Sequence, residues 1–148
     1  MDIAGVSVVE FVVWACVLDE RLLKTDPKYA ARRDADEHGQ VLPALRFARD
    51  RHMHQVAVTT SLEIMFERSD PNGPADRITV TNRWRPLDGI TEPTGRRLRD
   101  PEYIARRDAY ERRLEGRWPG LALRSALDFL NREVAARAIE VQDPSELV

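Results

Sequence analysis

The chain has 148 residues, 43% of them hydrophobic and 32% charged, with a formal net charge of −2. That length supports one domain with its own core, and the composition excludes an intrinsically disordered chain. A pI near 6.0 excludes the overall basic field that holds long nucleic acids, so any nucleic-acid role must rest on a local site.

The first segment, roughly Gly5 to Lys24, is apolar around most of its circumference, as expected of a central helix or one shared with a second subunit. Its valine richness leaves a strand open. The apolar stretch Val6 to Leu18 is interrupted by Ser7 and Glu10 and ends at Asp19-Glu20-Arg21, too short to span a bilayer. It also lacks the basic start and small-residue cleavage site of a signal peptide. No membrane association is expected. Cys16, the single cysteine, lies in this run, so a disulfide framework and a cysteine zinc cluster are excluded and a reducing cytoplasm fits.

Thr25-Asp26-Pro27 gives a cap-plus-proline start to a short, highly charged segment through about Glu37, and Gly39 breaks it. From Gln40 the pattern is helical again, with Leu42, Leu45, Ala48, His52 and Val56 on one face and Pro43 in the first turn. Val56 to Thr60 is β-branched while Leu62 to Arg68 is compatible with a helix, and composition leaves that boundary open. Asp70-Pro71-Asn72-Gly73-Pro74 is a loop. Arg77 to Trp84 alternates, with Ile78, Val80, Asn82 and Trp84 on one side, and reads as a short strand.

Pro86 to Arg99 is loop-rich. Asp100-Pro101-Glu102 then opens a helix through about Glu115, with Tyr103, Ala109 or Tyr110, and Leu114 as its contacts. Trp118-Pro119-Gly120 separates it from a last helix, Leu121 to about Arg137, striped by Leu123, Leu127, Leu130 and Val134. The tail from Val141 to Val148 is polar and expected to fray. Residues 1–148 thus read as a single, mainly α domain with a short extended or β insertion around residues 76–86.

Within the third segment, Arg49-Asp50-Arg51-His52-Met53-His54 places a histidine five positions after an arginine, with a small polar residue directly after that arginine. Such a pair combines a permanent cation with a group that exchanges protons near neutral pH. It can cut RNA without a metal. The histidine takes the proton of a ribose 2′-hydroxyl, and the guanidinium stabilises the charge that builds on the phosphate. On a straight helix, however, His54 lies about 140° around the axis from Arg49. Either the helix breaks or bends between them, or a second subunit completes the site. Of the 23 basic residues only Lys24 and Lys28 are lysines, a bias that reads first as the coding habit of a high-GC genome.

The stretch Leu45-Arg46-Phe47-Ala48-Arg49-Asp50-Arg51-His52-Met53-His54-Gln55 resembles the motif of HEPN domains: a hydrophobic lead-in, an arginine, Asn, Asp or His, then a histidine after four intervening residues. The resemblance implies a small all-helical bundle. It also implies metal-independent endoribonuclease activity of the toxin–antitoxin, phage-defence or CRISPR-associated kind. Arg49 and His54 are then catalytic, with Asp50 in the supporting polar position. Arg46, Arg51, His52 and Trp84 are further candidates for RNA contact. Such nucleases usually dimerise so that both Arg–His sets line one cleft, which implies a homodimer with Arg49 and His54 at the seam; the apolar circumference of the first helix makes it a candidate for that interface. More loosely, Thr81-Asn82-Arg83-Trp84-Arg85-Pro86-Leu87 and the closing helix look like a group of small uncharacterised proteins of high-GC bacteria and their phages.

Other assignments compete at the same residues. His52 and His54, perhaps with His38, make an alternate-residue metal pair only on an extended strand with a further ligand, which nothing fixes. No metal or cofactor is expected. Trp84 between Arg83 and Arg85 can stack a base, but it more naturally plugs the core. Glu63, Glu67 and Asp70 read as a solvated helix face. The rival to the nuclease is a non-catalytic helical module of immunity or regulatory type. It binds a protein partner, as an antitoxin-bound form would, and the net charge of −2 suits it.

Overall fold

The structure, a computed structural model, describes residues 8–54, 60–68, 70, 71, 73, 77–90 and 98–141. Helix α1 spans Val8–Thr25. Its 18-residue length and the burial of Val12, Ala15, Cys16, Asp19 and Leu22 at helical spacing decide for helix over strand. Trp14, 71% exposed, and Val17 lie on the outer side. A turn at Asp26, whose carboxylate accepts from the Lys28 N–H at 2.8 Å, leads into the seven-residue α2, Tyr29–Ala35.

The Asp36 carboxylate accepts from the N–H groups of His38 and Gly39 and forms the bend into the next helix. A Cβ at Gly39 would lie 2.5 Å from the Arg33 carbonyl oxygen. Only glycine therefore lets α2 and the following helix approach this closely. Helix α3, Val41–His54, buries Val41, Leu42, Ala44, Leu45, Phe47 and Ala48. That wide apolar surface suits a helix packed on several sides. It touches α1, and also α4 (Pro101–Arg113) and α5 (Pro119–Val141). Val56, expected on the same face, lies outside the described residues.

β1, Thr60–Glu67, pairs antiparallel with β2, Arg77–Trp84, in a register that runs from Thr60 opposite Trp84 to Glu67 opposite Arg77. The insertion therefore starts near residue 60, earlier than the alternation around 76–86 indicates. The stretch left open in the sequence is a strand because its backbone groups pair with β2. The acidic set is accordingly not a helix face: Glu67 ends a strand and Asp70 follows in the turn, both exposed, while the Glu63 side chain lies outside the described residues.

The far end of the hairpin is clipped to the bundle. The Trp84 N–H donates to the Arg117 carbonyl, and the Gly116 N–H donates to the Trp84 carbonyl, each at 3.0 Å. Gly116 has a φ of +67°, a left-handed conformation that glycine adopts without strain. The Trp84 ring is buried edge-on against Tyr110, which stacks obliquely on Phe47. A 3-10 turn at Leu87–Gly89 leads away from the hairpin. Asp100 then caps α4 by accepting from the Glu102 N–H at 3.0 Å, with Pro101 in the first turn. Tyr103, Ala109, Tyr110 and Leu114 are buried as the sequence indicates. In α5, Leu123 and Leu130 are buried, but Val134 is exposed, so the expected stripe stops one turn early. The fold is mainly helical with one two-stranded insertion. Among the described residues no helix is long and apolar enough to cross a membrane.

Candidate functional site

A chain of charged groups crosses the faces of α1, α2, α3 and α4. It starts at Asp19, 0% exposed. Its carboxylate accepts from the Tyr29 hydroxyl at 2.9 Å and from Arg33 at 3.3 Å. A buried carboxylate is tolerable only when hydrogen-bonded and paired in this way. Burial, reinforced by the neighbouring Asp19, pushes the Tyr29 hydroxyl pKa above its ordinary value. The Cys16 thiol, also on the inner side of α1, is pushed up to about 12 by burial and is an inert core group.

One residue on, Glu20 turns toward α3. Its carboxylate lies 2.8 Å from Arg49 and 3.5 Å from Arg46. Burial opposes the ionisation of Glu20, yet the hydrogen bond and charge of Arg49, with the charge of Arg46, bring its pKa below the ordinary value. Arg49 is held from the other side by Asp50, which accepts from Nη2 at 2.9 Å and from Nε at 3.2 Å. Burial works against the guanidinium charge here too, and the hydrogen bonds to Glu20 and Asp50 outweigh it. The other oxygen of Asp50 accepts from Arg106 of α4 at 3.2 Å, and Arg106 also bonds Glu102 one turn earlier. Arg49 is thus a part-buried cation, 19% exposed, fixed between two carboxylates.

Helix α3 continues as one element through His54, so no helix break brings His54 round to Arg49. The two positions keep their separation of about 140° and about 7.5 Å along the axis. The side chains of His52 and His54 lie outside the described residues. Arg46 is mostly buried beside Asp19 and Glu20, with no hydrogen bond to its Nε.

Two of the candidate RNA contacts are corrected. Arg51 is 2% exposed and lies over the rings of Phe47 and Tyr103 at 5.8 and 5.5 Å. It is a core cation–π partner rather than a surface contact. Trp84 is 1% exposed and packed against Tyr110, so it presents no face to a base.

Sequence reasoning missed Glu20, Arg106 and Glu102. Glu102 and Arg106 stand four apart on α4, a visible ion-pair signal. Nothing local points Glu20 at Arg49, because their contact joins two elements.

Beside this cluster, an open groove of about 360 Å³ runs between α2, α3 and α4. Arg33, Arg46, Arg106, Arg112 and Arg113 line it, against two carboxylates, Asp34 and Glu102. Among the described residues no group of three His, Cys, Asp or Glu side chains is placed to hold a metal ion. Comparison of the chain with protein-family models, with curated proteins and with solved structures yields no match.

Proposed function

We propose that the protein is a HEPN-like, metal-independent endoribonuclease of toxin or phage-defence type, acting in the cytoplasm as a homodimer. The observation that supports this reading best is the clamp on Arg49. A guanidinium preset by Glu20 and Asp50 near the end of α3 needs little reorganisation when charge develops on a phosphate. Asp50 orients it, and Arg106 holds Asp50 in turn.

In the reaction, the ribose 2′-oxygen attacks the adjacent phosphorus while a His54 imidazole takes the 2′-proton. The bond from phosphorus to the 5′-oxygen then breaks, and a second acid protonates the leaving oxygen. The products are a 2′,3′-cyclic phosphate and a 5′-hydroxyl. One straight helix holds Arg49 and His54 too far apart for one phosphate, so a second chain supplies the missing partner across a two-fold axis. The exposed Trp14 and Val17 on α1, on the helix that carries Glu20, offer an apolar surface for that contact.

Incubating the purified protein with mixed-sequence RNA in the presence of a chelator is expected to give fragments ending in cyclic phosphate. Arg49→Ala and His54→Ala are each expected to lower the rate by about 10²–10⁴. Unchanged cleavage in both variants removes the catalytic assignment.

One observation favours a second reading. Glu20 and Asp50 already meet the charge of Arg49, as they would in a non-catalytic immunity or regulatory module that binds a protein partner such as a toxin or antitoxin. A wild-type protein that leaves RNA intact under every condition, alone and with a bound protein partner removed, selects this reading.

A further inference from the structure

The arginines of the groove between α2, α3 and α4 are unequally partnered. Arg33 bonds Asp34 and lies 3.3 Å from Asp19, while Arg106 bonds Asp50 and Glu102. Among the described residues Arg113 bonds only the neutral amide oxygen of Gln40. Among the described residues, neither Arg112 nor Arg113 has a carboxylate partner. Arg46 lies 3.5 Å from Glu20, 3.8 Å from Asp19 and 4.0 Å from Glu102.

The negative end of α4 accounts for cations in its last turn, but it does not supply acceptors for their forks. Nor does it explain why five guanidiniums face one groove in a chain of net charge −2. The wall beneath them is made by Pro43, Ala105 and Ala109, whose small side chains leave the space open. Among the described residues no aromatic side chain lines it for stacking a base, and its volume is at the lower end of small-ligand sites.

We propose that this groove is a binding site for a phosphate-bearing anion carrying two or more negative charges, with Arg46, Arg106, Arg112 and Arg113 as its donors. Arginine forks match phosphate oxygens in pairs. The ligand's charge relieves the repulsion among Arg106, Arg112 and Arg113, and its oxygens supply the charged acceptors that Arg112 and Arg113 lack among the described residues. The source is either a compact polyphosphate group or the backbone of a nucleic-acid strand. Arg49 itself does not line the groove, although Arg46 and Arg106 also reach Glu20 and Asp50, the carboxylates that hold it; the proposal stands whether or not the protein cleaves RNA.

Calorimetric titration of the whole protein with inorganic triphosphate is expected to show saturable binding at one site per chain, weakening as salt rises. Arg112→Ala, which removes no hydrogen bond or ion pair among the described residues, should fold normally and weaken binding about tenfold. Adding Arg113→Ala should weaken it about tenfold again, and Arg49→Ala should leave it in place. A short RNA without terminal phosphates that competes with triphosphate assigns the strand backbone as the source. Failure to compete assigns a free or terminal polyphosphate. Absence of saturable triphosphate binding, or an affinity unchanged in the Arg112→Ala/Arg113→Ala protein, overturns the proposal. So does binding lost in Arg49→Ala and kept in that double variant.

Discussion

Asp19 and Glu20 are sequence neighbours that point in different directions, one sealed under Tyr29 and Arg33 and the other reaching Arg49. Adjacent helix positions are separated by about 100°, so one residue braces the core while the next braces the cluster. The folded pKa of Glu20 lies below its ordinary value of 4.5. Its contribution to stability is therefore fully present above 4.5 and is lost as pH falls through the lower, folded value. Glu20→Gln is expected to be less stable than the wild type by a constant margin near neutral pH, and urea titrations below pH 4.5 should show that margin closing. A margin that does not change with pH removes the ion pair as its cause. At this scale Arg49 and Asp50 are legible because their spacing lies within one helix. The partners that hold them are not, since a contact from α1 to α3 or from α4 to α3 leaves no period in the sequence. Arg51 shows the opposite failure: an arginine in an arginine-rich run looks solvated, and only Tyr103, brought in by α4, completes with Phe47 the pair of rings against which it is buried.

Among the elements, α4 was the easiest to read. Cap, proline and apolar spacing all lie within its own residues, and Asp100, Pro101, Tyr103 and Tyr110 take the places they indicate. Asp100→Ala should cost about 1 kcal/mol through the lost bond to the Glu102 N–H. The midpoint of denaturant unfolding measures it, and an unchanged midpoint means that water replaces the cap without loss. The hairpin was half legible. β2 alternates and announces itself, whereas β1 has an ambiguous composition and becomes a strand through its partner. Its register of Thr60 to Trp84 joins residues far apart in sequence, a relation that no local window contains. The stripe on α5 failed at Val134 for a related reason, because spacing gives the direction of a face but not how far the neighbouring helices extend along it.

For the whole molecule, the composition indicates a core and the structure has one: an apolar fraction of 43% gives a continuous aromatic and aliphatic cluster. The placement of charge was not legible from a net value of −2. Arginines gathered in one groove are balanced by acids elsewhere, and the total hides this. The cleavage reading requires two chains, and the outer face of α1, where Val9, Trp14 and Val17 are exposed, is the apolar surface on the helix that carries Glu20. Sedimentation at micromolar concentration should show a dimer, and Trp14→Glu should shift it to monomer with helix content unchanged. A monomeric wild type at that concentration defeats the shared-site arrangement.

The three tryptophans occupy unlike surroundings: Trp84 is enclosed beside the hairpin's root, while Trp14 and Trp118 face water. Their emission thus divides into a blue, quencher-resistant component and a red, readily quenched one. Loosening of the hairpin reddens the first component without touching the helices, and covering α1 dims the quenching of the second. Ordinary fluorimetry, without any added label, separates an event at the insertion from one at the outer helix.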